Sequence, residues 1–159
     1  MPAPKPSRMT SSGYGFENAK APPGERFPWS RGEDVLSAAR NYWIGTSGPD
    51  GRPHAAPVWA VWLDGLLYFS TGNESRKGRN LASNPAVVVH VEGKQGEIVI
   101  VEGTAEATSG EALRPAWDAY NQKYNWNVES YPFYVVRPRV AYSFEAQLGD
   151  TAARWVFPQ

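Results

Sequence analysis

Residues 54–85 read HAAPVWAVWLDGLLYFSTGNESRKGRNLASNP, and three kinds of structure follow one another along them. His54–Leu63 is a strand with two apolar faces: Val58, Ala60 and Trp62 alternate with Trp59, Val61 and Leu63, so both sides need cover. Asp64-Gly65 is a tight hairpin turn that leads into a second strand, Leu66–Thr71. Ser75 stands where a helix from Arg76 takes its N-cap, and Asn84-Pro85 stops that helix after about two turns. Three cations, Arg76, Lys77 and Arg79, sit at the changeover from strand to helix.

Outward from this stretch, strand signals dominate. Asn41–Ser47 is closed by the turn residues Gly48-Pro49-Asp50-Gly51, and Ala86–Glu92 and Glu97–Thr108 flank a turn at Gly93–Gly96. Val136–Ala146 and Arg154–Phe157 are closing strands. Ser30-Arg31-Gly32-Glu33 and Thr108-Ser109-Gly110-Glu111 each read as a capping box opening a helix. Trp117, Tyr120 and Tyr124 follow the second box at helical spacing as a core stripe, with the regular helix starting near Pro115. Strands that meet strands, about seven in all and mostly antiparallel, predict a mainly β protein: a β-barrel with short helices, because closure removes exposed edges.

The chain of 159 residues suits one domain. Residues 1–29 are Pro-rich and poor in aliphatics, which predicts a flexible or draped arm with Tyr14 and Phe16 as candidate anchors; residues 30–159 form the barrel. The 16 basic and 16 acidic side chains cancel, which removes any whole-molecule field for gathering nucleic acid or anionic membrane. Cysteine is absent, and with it disulfides, thiolate nucleophiles and Cys-based metal sites. No apolar run reaches the roughly 20 residues that span a bilayer, and no signal-peptide core follows the start, so a soluble cytoplasmic protein is expected. Seven Trp, eight Tyr and six Phe call for a bulky core or a large buried interface, and the doubly apolar strand favours a homodimer.

Read from the residues alone, the SRKGR segment has two meanings. It is either a solvated helix start or an anion site, in which free N–H groups, a hydroxyl of Thr71 or Ser75, and the cations Arg76 and Lys77 converge on a phosphate. The pattern lacks the spacing of a nucleotide triphosphate loop, and no aromatics interleave with the cations as a single-stranded nucleic acid groove would want. His54 and His90, in strands among apolar neighbours, read as packed core or interface residues, and no acidic residue at ligand spacing makes a metal site of them. Glu97, Glu102 and Glu106 read as solvated positions along one strand. Trp59 and Trp62 are each either core or a wall for a ring. No nucleophilic or acid–base constellation is apparent, so no catalytic side chain is assigned.

The order GRPHAAPVWAVW, DG, LLYFST, SRKGRNL, NP, VVVHVE, IVIVEGTAE resembles the pyridoxamine 5′-phosphate oxidase-like split-barrel family over roughly residues 30–145. That resemblance implies an antiparallel split β-barrel and a redox cofactor held at a dimer interface. It implies that Ser70 and Thr71 are strand-end contacts, that Ser75, Arg76 and Lys77 clamp the cofactor phosphate, and that Ala56, Pro57, Val58, Trp59 and Ala60 lie along its ring. The sequence also departs from the oxidase proper. Ala55–Leu63 has no cation, Ile98 stands where the oxidase has a flavin-contacting glutamine, and the closing Arg154-Trp155-Val156-Phe157-Pro158-Gln159 lacks its Arg-x-His motif. These departures speak against the vitamin oxidase itself, and the pairing of P-V-W with S-R-K-G-R-N-L is more like the deazaflavin-using branch, so the resemblance implies an oxidoreductase passing a hydride between the cofactor and a small conjugated substrate. Coenzyme F-420 is the first choice of cofactor and FMN the second. The alternative is a non-catalytic dimer that sequesters flavin or haem. The loops Gly72–Glu74 and Asn121–Pro132, with the arm, shape the substrate site.

Overall fold

A computed structural model describes residues 2–10, 16, 19–127 and 132–159. In chain order the elements are β1 (Lys5–Ser7), α1 (Trp29–Ala38), β2 (Tyr42–Ser47), β3 (Pro53–Val58), β4 (Ala60–Leu63), β5 (Leu66–Phe69), α2 (Arg76–Ser83), β6 (Ala86–Glu92), β7 (Glu97–Thr108), α3 (Arg114–Tyr124), β8 (Phe133–Glu145) and β9 (Leu148–Val156). All strand pairings are antiparallel, and the main path runs β1-β9-β8-β7-β6-β2-β3, with β4 and β5 branching from β8. The result is the expected split β-barrel. The hairpin between β4 and β5 turns at Asp64 and Gly65, both in left-handed backbone (φ 51° and 79°).

The strand predicted over His54–Leu63 is two strands. Pro53–Val58 pairs with β2, Ala60–Leu63 pairs with β5, and Trp59 stands at the break. The backbone groups freed there are satisfied from α3. Ala60 N–H donates to the Tyr124 hydroxyl at 2.9 Å, and the Lys123 ammonium donates to the Ala60 carbonyl at 3.1 Å. This division, with β1, is why nine strands stand among the described residues where about seven are predicted. The last hairpin is also longer than predicted, with β9 starting at Leu148 rather than Arg154.

Two clusters fill the molecule. Inside the barrel lie Phe27, Leu36, Tyr42, Ile44, Leu67, Phe69, Val89 and Val99 among others. On its outside, α3 lays Ala116, Trp117, Tyr120 and Tyr124 over Val61 and Phe133, with Trp59 and Tyr68 packed alongside. The aromatic stripe is core, as its spacing predicts. Each fully buried side chain of the Phe or Val kind contributes about 1.5–3 kcal/mol. The outer face of β4 is thus covered by the chain's own α3 and does not require a second subunit.

Local stop and start signals differ from expectation in two places. Pro28 occupies the N-cap of α1 with no side-chain cap: the helix starts at Trp29, so Ser30 lies inside its first turn rather than at the cap, and Arg31 pairs with Glu97 and Glu145. Gly110 precedes the turn that leads to α3, again without a side-chain cap, and Pro115 sits in the first turn of α3 as predicted. Glu97, expected in solvent, is buried. Burial alone would raise its pKa, but backbone N–H donors, including that of Gln95, and the Arg31 guanidinium outweigh this and hold it below the usual value. Glu106 is exposed and pairs with Arg137. Part of the predicted arm lies on the barrel: Lys5–Ser7 pairs with β9, Met9 is buried, Phe16 packs on Phe144, and Phe27 and Trp29 join the core. Tyr14 lies outside the described residues.

Candidate functional site

The end of β5 and the start of α2 form one built unit. Ser75 caps α2: its hydroxyl accepts from Gly78 N–H at 3.0 Å and shares a 2.9 Å hydrogen bond with the Thr71 hydroxyl. Ser75 N–H donates to the Gly72 carbonyl, which folds the Gly72–Glu74 loop tightly against the helix. Gly78 is required by that approach, since a Cβ there would stand 2.5 Å from the Gly72 oxygen and 2.7 Å from that of Asn73. Arg79 donates back to the Glu74 carbonyl, so it braces the loop. The far side of α2 is pinned by Asn80, whose amide donates to Thr46 at 3.0 Å, and by Asn84, which donates to Ser47 at 3.0 Å.

The N–H groups of Arg76 and Lys77 have no hydrogen-bond acceptor among the described residues. They are the orphan donors of a helix start, and two side-chain cations stand on the same two residues. His54, at the head of β3, shares this neighbourhood. Its pKa is lowered first by burial and then by the Arg76 and Lys77 charges. The sequence reading places His54 in packing and misses its tie to the cations; only the alignment of β3 beside α2 reveals it. His90 is half-buried on the outer sheet face, stacked on Trp43 at 6.4 Å and 6°.

The stretch Ala56–Ala60 presents less to a ligand than its five residues suggest. Val58 and Ala60 are buried in the barrel core and Ala56 is half-buried, so the first two offer only backbone. Pro57 is exposed, and Trp59 is half-buried, stacked on Tyr124 at 4.5 Å and 5°. Because β3 ends the sheet path, its second edge leaves backbone groups unpaired by any strand. Behind the Trp59–Tyr124 stack, Lys123 donates to Ser37, Tyr42 and Ala60; burial, then the nearby Arg40, pushes its pKa down to about 8.

Ser70, Thr71 and Trp59 border a cavity of about 320 Å³. Arg76 faces a separate hollow on the other flank of α2, of about 630 Å³, beside Arg52 and Arg79. Ser70, Thr71 and Trp59 therefore share one cavity and Thr71 is hydrogen-bonded to Ser75, whereas Arg76 lines the other hollow. Among the described residues no group of three His, Asp or Glu side chains could hold a metal ion, and no helix is long and apolar enough to cross a membrane.

Comparison with known proteins adds three findings. The family model described as pyridoxamine 5′-phosphate oxidase matches residues 31–151. A pyridoxine/pyridoxamine 5′-phosphate oxidase of Bacteroides thetaiotaomicron is 41% identical over 70 residues; these are 43% of this chain and 33% of that protein, so the match spans about a third of the relative's length. Among solved structures, an F-420 reductase is similar with a TM-score of 0.57 and 24% identity, over 69% of this chain and 94% of the other. HutZ, described as the haem storage protein of Vibrio cholerae, is similar with a TM-score of 0.59 and 14% identity, over 69% and 89%. At these identities the two structures speak for the fold alone.

Proposed function

The chain belongs to the pyridoxamine 5′-phosphate oxidase family, and from that premise we propose that it is a cytoplasmic, homodimeric oxidoreductase holding a phosphorylated deazaflavin or flavin. Coenzyme F-420 is the first choice and FMN the second. The carrying observation is the start of α2, where two acceptor-less N–H groups coincide with Arg76 and Lys77 and with the hydroxyl pair Thr71–Ser75. That donor set fits a phosphate: helix terminus, planar fork and point charge together. The preference for the deazaflavin rests on the resemblance of P-V-W, at the end of β3, together with S-R-K-G-R-N-L to the deazaflavin-using branch.

When bound, such a cofactor supplies the hydride that a small conjugated substrate exchanges with it. The protein's own work is to bind and orient. Arg76 and Lys77 would hold the phosphate, Ser70 and Thr71 the adjoining chain, and the open edge of β3 from Ala56 to Val58 would offer backbone groups to the ring, whereas the Ala60 backbone is already engaged by Tyr124 and Lys123. Pro57 and Trp59 supply the flat side-chain surface there. No side chain is assigned a proton-transfer role.

A second copy of the chain suits the outer face of β2, β6 and β7, where Trp43 is 45% exposed and Val88, His90, Ile98 and Ile100 are half-buried. Parallel titrations with F-420, FMN and haemin test the reading: F-420 or FMN should bind with a spectral shift, and sedimentation at micromolar concentration should show a dimer. One observation favours the non-catalytic alternative, since His90 presents an imidazole, an ordinary haem ligand, on that outer face. Tight haemin binding with neither flavin bound would decide for it.

A further inference from the structure

The cavity beside the strand end is walled by four aromatic rings, Trp59, Tyr120, Trp126 and Phe133, with Ser70 and Thr71 at one side. None of the described residues lining it is charged. Trp126 is 60% exposed, an unusual position for so large an apolar ring, and it meets Trp59 edge-on at 6.1 Å and 80°. Its place is built by a turn and not by packing alone. Asn125 ends α3 in left-handed backbone (φ 51°), and the Trp126 N–H donates to the Asn121 carbonyl at 3.1 Å. The inner face of Trp59 is already occupied by Tyr124. What remains is a slot of rings with hydroxyls at one border and a volume at the lower end of small-molecule sites.

We propose that this slot is the substrate subsite, and that it takes a neutral, planar, one- or two-ring compound held against the Trp126 and Trp59 rings. A ring there gains offset or edge-on aromatic contacts on several sides. An ionised compound would leave water for a slot whose described lining offers no counter-charge. With Ser70 assigned to the cofactor and the Thr71 hydroxyl engaged by Ser75, the Tyr120 hydroxyl is a group of the lining that can fix one heteroatom of the ring. Trp59 also belongs to the strand end along which the cofactor ring is proposed to lie, so the two rings would be neighbours. The slot's meaning in a reaction rests on the proposed function; its binding of a ring does not.

The test is equilibrium dialysis of the full chain, without added cofactor, against 2-naphthol, naphthalene-2-sulfonate and cyclohexanol. The neutral planar probe should bind best, and Trp126→Ala should weaken it about three- to tenfold while Trp126→Phe keeps most of the affinity. The exposure of Trp126 keeps folding out of the result. Arg76→Ala with Lys77→Ala should leave 2-naphthol binding unchanged. Unaltered binding in Trp126→Ala, equal binding of the sulfonate or of cyclohexanol, or loss on removing the two cations would each overturn the assignment. Should F-420 and FMN fail to bind while 2-naphthol binds through Trp126, the cofactor reading falls and the slot stands.

Discussion

Replacing Arg76 or Lys77 by Ala gives the most direct test of the anion site, because each change removes one charge and leaves the fold alone. Arg76 is exposed and Lys77 half-buried, and neither makes an ion pair among the described residues. A cation at a helix start opposes the helix dipole, so its loss leaves stability unchanged or slightly improved. If each side chain donates a charge-assisted hydrogen bond to a phosphate, the loss is about 1.5–3 kcal/mol. At 1.4 kcal/mol per decade, binding weakens by about ten- to a hundredfold. The assay is a fluorescence titration with FMN and F-420, run against riboflavin and a deazaflavin without the phosphate. The phosphorylated ligands should lose affinity and the others should keep it. Arg79, engaged with the Glu74 carbonyl, should matter less. His54 adds an internal check: the double variant should raise its pKa, followed by its ring proton resonances, because two of the three causes that lower it are gone. Equal weakening of both ligand classes would mean that the cations hold local structure, and no weakening at all would return SRKGR to a solvated helix start.

Three further outcomes follow from the fold. Tyr124→Phe leaves the buried Ala60 N–H without its acceptor and should cost about 1–3 kcal/mol, read as a lower denaturation midpoint. Gly78→Ala drives a methyl into the Gly72 and Asn73 carbonyls, so it should abolish phosphate-ligand binding while strand circular dichroism persists; tight binding in that variant would deny the Gly72–Glu74 loop its part. Glu97 concerns acid stability. Its carboxyl lies below its ordinary pKa in the fold, so the stabilisation it contributes is complete above the unfolded value and is lost as pH falls through the folded one. Urea midpoints should drop below about pH 5 in the parent and be flatter with pH in Glu97→Gln; identical pH profiles would show that the Arg31–Glu97 contact contributes nothing.

What the sequence made legible is what is encoded within a few residues. The Asp64-Gly65 turn, the Ser75 cap and the Asn84-Pro85 stop are local chemistry, and the hairpin and α2 follow from them at the expected places. The features that were not legible depend on partners remote in the chain. The strand from His54 breaks at Trp59 because Tyr124 and Lys123, more than sixty positions later, satisfy Ala60; alternation alone reads straight through. Glu97 is buried with Arg31 reaching it from α1, a partner 66 positions away that no local pattern announces. Lys5–Ser7 enters the sheet because β9 would otherwise be an open edge, and a Pro-rich composition gives no sign of it.

The candidate site divides along the same line. Its proposed anion-binding half, Ser70 to Lys77, lies on one continuous stretch, so an eight-residue reading is enough to propose it. Its aromatic half is assembled from β4's threshold at Trp59, the helix at Tyr120, the turn at Trp126 and the strand at Phe133, which come together only when α3 lies down over β4 and β8. A ligand that bridges the two halves would therefore sense both. Loosening α3 should impair ring binding before it touches the phosphate, whereas damage at Gly78 should do the reverse. The break at Trp59 links them: the hydrogen bonds from Tyr124 and Lys123 that end β3 also set the ring that faces the slot. Tyr124→Phe consequently carries a second consequence beyond its stability cost. By freeing the Ala60 N–H it unfixes Trp59, and 2-naphthol affinity should fall in a variant whose mutated atom never touches the probe, while the fixed α2 start keeps its grip on phosphate. Retained naphthol affinity in a destabilised Tyr124→Phe would show that Trp59 is held by the stack alone and that the two halves fold independently.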